Sequence, residues 1–319
     1  MNPILPSARD KLLFTPGPLT TSLSVKQAML HDAGSWHFEF HAIVKEIRLK
    51  LLAVAGVDAG EFDCVIMQGS GTFGVESVIG STIPPNGKLL VLVNGAYGER
   101  ILQMAQYLKI AHVAIRPGED KTPTPEQVDA ALAADPSITH VAMVHCETTT
   151  GIFNPPEEIG RVVSRRQRTL ILDAMSSFGA VPVNCATANI DYLVSSANKC
   201  IEGVPGFAFV IARKSKLLAC DGYARSLSLD LVAQAKYMEK TSQFRYTPPT
   251  HSILAFSQAL KELELEGGID ARAARYQANH RTLLAGMRQL GFRSYLPPEV
   301  QSYIITSFYY PSDPKFTFM

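Results

Sequence analysis

The chain has 319 residues, with Lys+Arg 30 against Asp+Glu 29, 46% apolar and 18% charged. At roughly 100–200 residues per domain, this length accommodates one large and one small domain around a sizeable core. A net charge of +1 supplies no basic field for nucleic acid, and no apolar run approaches the ~18 residues that span a bilayer. The opening stretch MNPILPSARDK lacks a basic region followed by an apolar one, so no secretory leader is expected. Cys64, Cys146, Cys185, Cys200 and Cys220 form no C-x-x-C pair. They predict free, buried thiols in a reducing, cytoplasmic setting and no metal site.

From the N-terminal side, a helical stripe comes first: Phe40, Ile43, Val44, Ile47 and Leu51 share one face of 39–55. Short apolar runs then recur between turn residues. They are CVIM at 64–67, LLVLV at 89–93, HVAI at 112–115, HVAMVH at 140–145, TLILD at 169–173, YLVSS at 192–196 and FAFVIA at 207–212. Runs of this kind predict strands buried on both faces, as in a parallel sheet. Helical patterns lie between most of them, and Thr124-Pro125-Glu126 opens one with an N-cap and a proline at the first position. The alternation predicts an open α/β sheet with right-handed crossovers.

Beyond about residue 213 helical patterns dominate, at 228–240, 251–266 and 270–290, with a break at Gly267-Gly268. Two short strand candidates follow at 292–296 and 303–310. The expected division is an N-terminal segment over 1–20, a large α/β domain over 21–250 and part of a small α+β domain over 251–319.

Three segments carry chemistry. Gln68-Gly69-Ser70-Gly71-Thr72 follows a strand and precedes a helical pattern, so free amides and a positive dipole end suit a phosphate there. Asp173 ends the strand LILD, where open α/β sheets bind ligands. Lys199 follows the strand YLVSS, and apolar surroundings lower a lysine's pKa and suit it to Schiff-base chemistry. Each has an ordinary reading as well: a plain β-to-α turn, a helix-capping carboxylate, a solvated lysine. Their combination and order match the needs of pyridoxal phosphate. That cofactor requires a phosphate anchor, a carboxylate for its pyridinium nitrogen and an amine for its aldehyde.

Several segments resemble the class V, fold-type I aminotransferases, and more closely their 2-aminoethylphosphonate–pyruvate transaminase branch. They are LLFTPGPLTTS at 12–22, QGSGTFGVES at 68–77, NGAYGER at 94–100, HVAMVHCETTTG at 140–151, LDAMSSFGA at 172–180, DYLVSSANKCIEGVPGFAFVIAR at 191–213, RSLSLDL at 225–231 and TPPTHSILAFSQALKELELEGG at 247–268. SSANKCIEGVPGFAFVIAR is the most specific of them, and the Gly-rich turn by itself is not specific.

The resemblance implies a large domain with a mostly parallel seven-stranded sheet, pyridoxal 5'-phosphate as cofactor, and a homodimer with shared active sites. It implies transfer of the amino group of 2-aminoethylphosphonate to pyruvate, giving phosphonoacetaldehyde and alanine. An alanine–glyoxylate or serine–pyruvate type transaminase, and a shortened cofactor-binding protein of little activity, are the alternatives. Lys199 matches the Schiff-base lysine, Asp173 the ring-nitrogen carboxylate, Ser70, Gly71 and Thr72 the phosphate turn, and Thr148 the hydroxyl near the phenolic oxygen. Tyr97 falls where relatives cover the ring, and Thr247 matches a donor to the neighbouring subunit's phosphate. Gly17 lies in a segment that closes over substrate, Trp36 in a stretch at the site entrance, and Arg225 and Arg245 are candidate anion binders. Relatives continue into a further strand and helix bearing a carboxylate-gripping arginine. Ending at Met319 therefore implies a shortened small domain, a weakened pyruvate half-reaction, an open edge near 303–310 and reduced solubility or reliance on the dimer.

Overall fold

The computed structural model describes residues 12–317, so the secretory-leader expectation for the opening stretch, and residues 1–11 of the N-terminal segment, lie outside the described residues. Seven strands form one sheet: β1 (Phe62–Gln68), β2 (Lys88–Leu92), β3 (Ala111–Ile115), β4 (Ile138–Val144), β5 (Thr169–Asp173), β6 (Tyr192–Ser196) and β7 (Phe207–Arg213). Each coincides with one of the seven apolar runs. The order across the sheet is β1-β7-β6-β5-β4-β2-β3. β7 pairs antiparallel with both β1 and β6, and the remaining pairs are parallel. Six strands therefore share one direction and β7 alone opposes them.

The described helices are α1 (Leu23–Gln27), α2 (Phe38–Val54), α3 (Gly71–Thr82), α4 (Ala96–Tyr107), α5 (Pro125–Ala134), α6 (Pro156–Arg165), α7 (Lys214–Leu218), α8 (Leu231–Thr241), α9 (Thr250–Glu266) and α10 (Gly268–Gln289). Phe40, Val44, Ile47 and Leu51 of α2 are buried, as their spacing predicts, and Ile43 is partly so. α5 starts behind a full capping box, in which Thr124 and Gln127 bond each other's backbone amides. α9 and α10 are separated by Gly267 alone, whose φ of 108° a residue with a Cβ adopts only at a cost. Phe207 and Phe209 of β7 meet Phe256 of α9 edge-on and tilted, at 5.0 and 6.0 Å. That contact seals the sheet behind the β6–β7 connection.

The two C-terminal strand candidates are not strands. They touch through one antiparallel bridge, Ser294 to Phe308, with the Tyr295 and Tyr309 amides donating to Ser307 and Arg293. The backbone before the bridge is taken up by a local turn, in which the Ser302 hydroxyl accepts from the Ile304 and Ile305 amides. A two-stranded ladder without further partners is marginal. No described helix is long and apolar enough to cross a membrane.

Two buried histidines make stability depend on pH. Burial lowers His140 to about 3 and His145 to about 4, and the Ser177 hydroxyl bonds His145 Nδ1 at 2.8 Å. Both rings are neutral in the folded chain at pH 7. On unfolding they regain a pKa near 6.5, so the unfolded state binds the extra protons. Their stability contribution is complete above pH 6.5 and is lost as pH falls toward each folded value, at ~1.4 kcal/mol per pH unit per ring. Denaturant melts at pH 7 and pH 5 are expected to show this loss, and His145→Gln to make it shallower. An unchanged slope in that variant contradicts the assignment.

Candidate active site

Because six strands point one way, their following turns open on one edge of the sheet. β1 ends at Gln68, Gly69 turns back with φ 108°, and α3 begins at Gly71 with Ser70 as its N-cap. The first amides of a helix have no intrahelical partner, and the Ser70 side chain makes no capping bond, so this end faces the cleft with its donors open. β5 ends in Asp173, β6 leads through Asn198 into Lys199, and β2 leads into α4 and Tyr97. Ser70, Gly71, Thr72, Tyr97, Asp173 and Lys199 line one cleft of about 180 Å³. Ser196, Asn198, Met175 and Arg100 complete the polar and soft part of the wall.

Burial drives the two central groups in opposite directions. It pushes the Asp173 carboxyl up to about 6, with the nearby negative Glu147 adding to the rise. The Met175 amide, donating to Asp173 Oδ1 at 3.0 Å, and the positive Lys199 and Arg100 oppose it. Burial pulls the Lys199 amine below the ordinary lysine range, Arg100 adds to that, and Cys200 and Asp173 oppose. Loss of solvation disfavours the charged form of each group. The result is an amine that gives up its proton readily beside a carboxyl that holds its proton more readily than a free one.

Gly17 touches this pair from the N-terminal side. A Cβ at Gly17 would stand 2.5 Å from Lys199 Cδ and 2.8 Å from its Nζ, and Lys199 Nζ donates to the Pro16 carbonyl at 3.4 Å. Thr148 lies on the turn after β4, its hydroxyl 2.8 Å from that of Ser176, behind the cleft wall. Thr247 is exposed, and its carbonyl, like that of Tyr246, accepts from Gln68 Nε2 next to the α3 turn. Trp36 is 73% exposed and outside the cleft lining. Arg225 donates to the carbonyls of Gly80, Ile83 and Pro84 at the end of α3, and Arg245 to those of Leu227 and Asp230. Arg225 is thus bonded to backbone, while Arg245 also donates to the Tyr246 hydroxyl; neither lines the cleft.

Two residues of the site went unassigned in the sequence. Arg100 follows Tyr97 by one helical turn and lies 4.4 Å over its ring; the i, i+3 spacing from a site aromatic was the available signal. Glu147 is fully buried beside α4, and nothing local in the sequence marks it. His145 and Cys200 take no part in the cleft, and all five cysteines are free and buried. Burial raises the Cys200 thiol to about 12, so it stays protonated next to Lys199.

A family model described as aminotransferase class-V matches residues 23–312. A curated protein of Salmonella paratyphi C named 2-aminoethylphosphonate–pyruvate transaminase is 54% identical over 314 residues, which cover 98% of this chain and 85% of that one. Its namesake in Rhizobium meliloti is 55% identical over 309 residues, covering 97% and 81%. Among solved structures, an alanine–glyoxylate aminotransferase of Nostoc sp. aligns with a TM-score of 0.87 at 25% identity, over 97% and 82% of the two chains. The pyridoxamine–pyruvate aminotransferase of Mesorhizobium loti aligns with a TM-score of 0.86 at 23% identity, over 97% and 79%, and speaks to the fold alone.

The contact between Gly17 and Lys199 is directly testable. Gly17→Ala is expected to lift the N-terminal segment from the amine and to raise the rate at which Lys199 is acylated at pH 8, followed by peptide mass mapping. Melting temperature should move little, because the segment carries few buried groups. An unchanged acylation rate rules the contact out.

Proposed function

The chain belongs to the class V aminotransferase family, and on that footing we propose that it uses pyridoxal phosphate to transfer the amino group of 2-aminoethylphosphonate to pyruvate. The observation that carries the reading is the meeting of Asp173, Lys199 and the α3 N-terminus on one cleft. The donor set fits the cofactor. The α3 end with Ser70 and Thr72 offers amides and hydroxyls to a phosphate. Asp173 is held by the Met175 amide and placed to balance a protonated ring nitrogen. Tyr97 offers a flat apolar face, and Lys199 an amine for an aldehyde carbon. A Cβ at Gly71 would stand 2.4 Å from Met175 Sδ, so the glycine keeps that wall of the cleft thin.

When bound, pyridoxal phosphate supplies an electron sink for the pair left by a broken C–H bond. The protein supplies the proton transfers. Lys199 Nζ, with its lowered pKa, would be the group that takes up and gives back the proton moved in the transfer. Asp173 would hold the cofactor at its ring nitrogen, where its carboxylate would favour the protonated ring. Thr148, whose hydroxyl is bonded to that of Ser176, would be the hydroxyl nearest the cofactor's ring oxygen on this reading. Gly17, lacking a Cβ, lets the N-terminal segment lie directly over Lys199, where it would close over a substrate.

Thr247 belongs, on this reading, to the site of a second copy in a homodimer. It is exposed beside the α3 turn, and Phe73 and Tyr246 leave apolar surface uncovered nearby, at 49% and 44% exposure. Trp36 then stands near the shared entrance. Five free buried thiols suit a reducing compartment, in keeping with a cytoplasmic enzyme.

Purified protein with pyridoxal phosphate is expected to absorb above roughly 400 nm, the band of a lysine-bound cofactor. Lys199→Ala should abolish the band. 2-Aminoethylphosphonate should bleach it, and pyruvate should restore it. No bleaching sinks the donor, no recovery sinks the acceptor, and bleaching by alanine but not by 2-aminoethylphosphonate favours the alanine–glyoxylate type.

A further inference from the structure

Glu147 lies on the turn after β4, and its side chain is completely buried. Its carboxylate accepts from the amides of Tyr97 at 3.2 Å and Gly98 at 3.3 Å, in the first turn of α4. It also accepts from the amide and hydroxyl of Thr149, at 3.4 and 3.1 Å. Gly95, the N-cap of α4, has no side chain to cap that helix, and a Cβ there would stand 2.2 Å from Glu147 Cγ. The glycine is therefore the space into which the carboxylate fits. A buried carboxylate is costly unless its oxygens are bonded. Here the donors are helix-terminal amides, whose dipole favours a negative charge. One side chain thus ties the turn that bears Thr148 to the helix that bears Tyr97 and Arg100.

We propose that Glu147 is a positioning residue whose buried carboxylate fixes Tyr97 in the cleft and joins it to the turn bearing Thr148, and so shapes the cofactor's seat, an inference that rests on the transaminase reading above. The charge matters as well as the geometry. Asp173 senses three charged side chains from the elements around it: Glu147 from the β4 turn, Lys199 from the β6 turn and Arg100 from α4. Glu147 is the negative one. Glu147→Gln keeps the shape of the side chain. It removes the charge and turns an NH₂ group toward backbone donors.

The test compares unaltered protein with Glu147→Gln and Thr149→Val, reading cofactor affinity, the pH midpoint of the bound cofactor's absorbance change, and the melting temperature without cofactor. Glu147→Gln is expected to weaken pyridoxal phosphate binding by about tenfold. It should also shift the pH midpoint down, because a negative charge that favours the protonated form has gone. Thr149→Val removes one donor to the carboxylate and leaves the charge in place. It should weaken binding about threefold with the midpoint unmoved. Should Glu147→Gln fail to fold, unchanged affinity in Thr149→Val overturns the proposal by itself. A lower melting temperature in Glu147→Gln with affinity and midpoint both unchanged reduces Glu147 to a helix cap and also overturns it. Unaltered protein that binds the cofactor but is not bleached by 2-aminoethylphosphonate sinks the substrate reading alone, since affinity and midpoint still decide the positioning role. Unaltered protein that does not bind the cofactor overturns both.

Discussion

Six of the seven strands run in one direction, so their carboxyl ends crowd a single edge of the sheet. Those ends meet the turns that carry the α3 N-terminus, Tyr97, Glu147, Asp173 and Lys199. The cleft is a consequence of that shared direction and not a separate construction. A parallel sheet covered on both faces leaves only its edges for ligands. What distinguishes this edge is its electrostatics. A carboxyl raised by burial faces an amine lowered by burial, and each is pulled back partway by the other.

The second organising element is the reversal of β7. Lys199 sits on a connection whose two ends are fixed in neighbouring, opposed strands. The connection is braced from behind as well. The Glu202 amide donates to the Lys199 carbonyl at 2.7 Å, and Arg272, almost wholly buried, donates to the Cys200 carbonyl at 2.6 Å. Arg272 is held in turn by Glu266, which also pairs with Arg275, and Arg275 reaches Glu202. A buried arginine left unpaired would be strongly destabilising, so this cluster is satisfied as a unit. It links α9 and α10 to the chain just after Lys199, at Cys200 and Glu202.

Much of this was legible in the residues. Strands buried on both faces are written as continuous apolar runs, and all seven coincide with such runs. Asp173 and Lys199 stood out because each follows an apolar strand, where a charge needs a reason. The C-terminal strand candidates misled because 292–296 and 303–310 have strand composition, while Ser302 diverts their backbone into a turn. Arg225 and Arg245 drew attention through their charge, but the carbonyls that absorb their guanidinium groups are distant in sequence and invisible there. Glu147 was hidden for the same reason, since its meaning depends on an empty position at Gly95, half a hundred residues away. Pattern reveals what a residue faces, and only the fold reveals what it meets.

The pairing of β1 with β7 has a consequence for how the site comes into being. The first strand, which leads into the turn at Ser70, closes against the last, with Phe62 opposite Arg213. Contacts so far apart along a chain form slowly and late, because loop closure must precede them. During synthesis the turn at Ser70 therefore waits, unpaired, until the strand beyond Lys199 has emerged. The Ser70 turn and Lys199 are then set by the same closing step, so a half-made chain presents neither as part of a formed cleft.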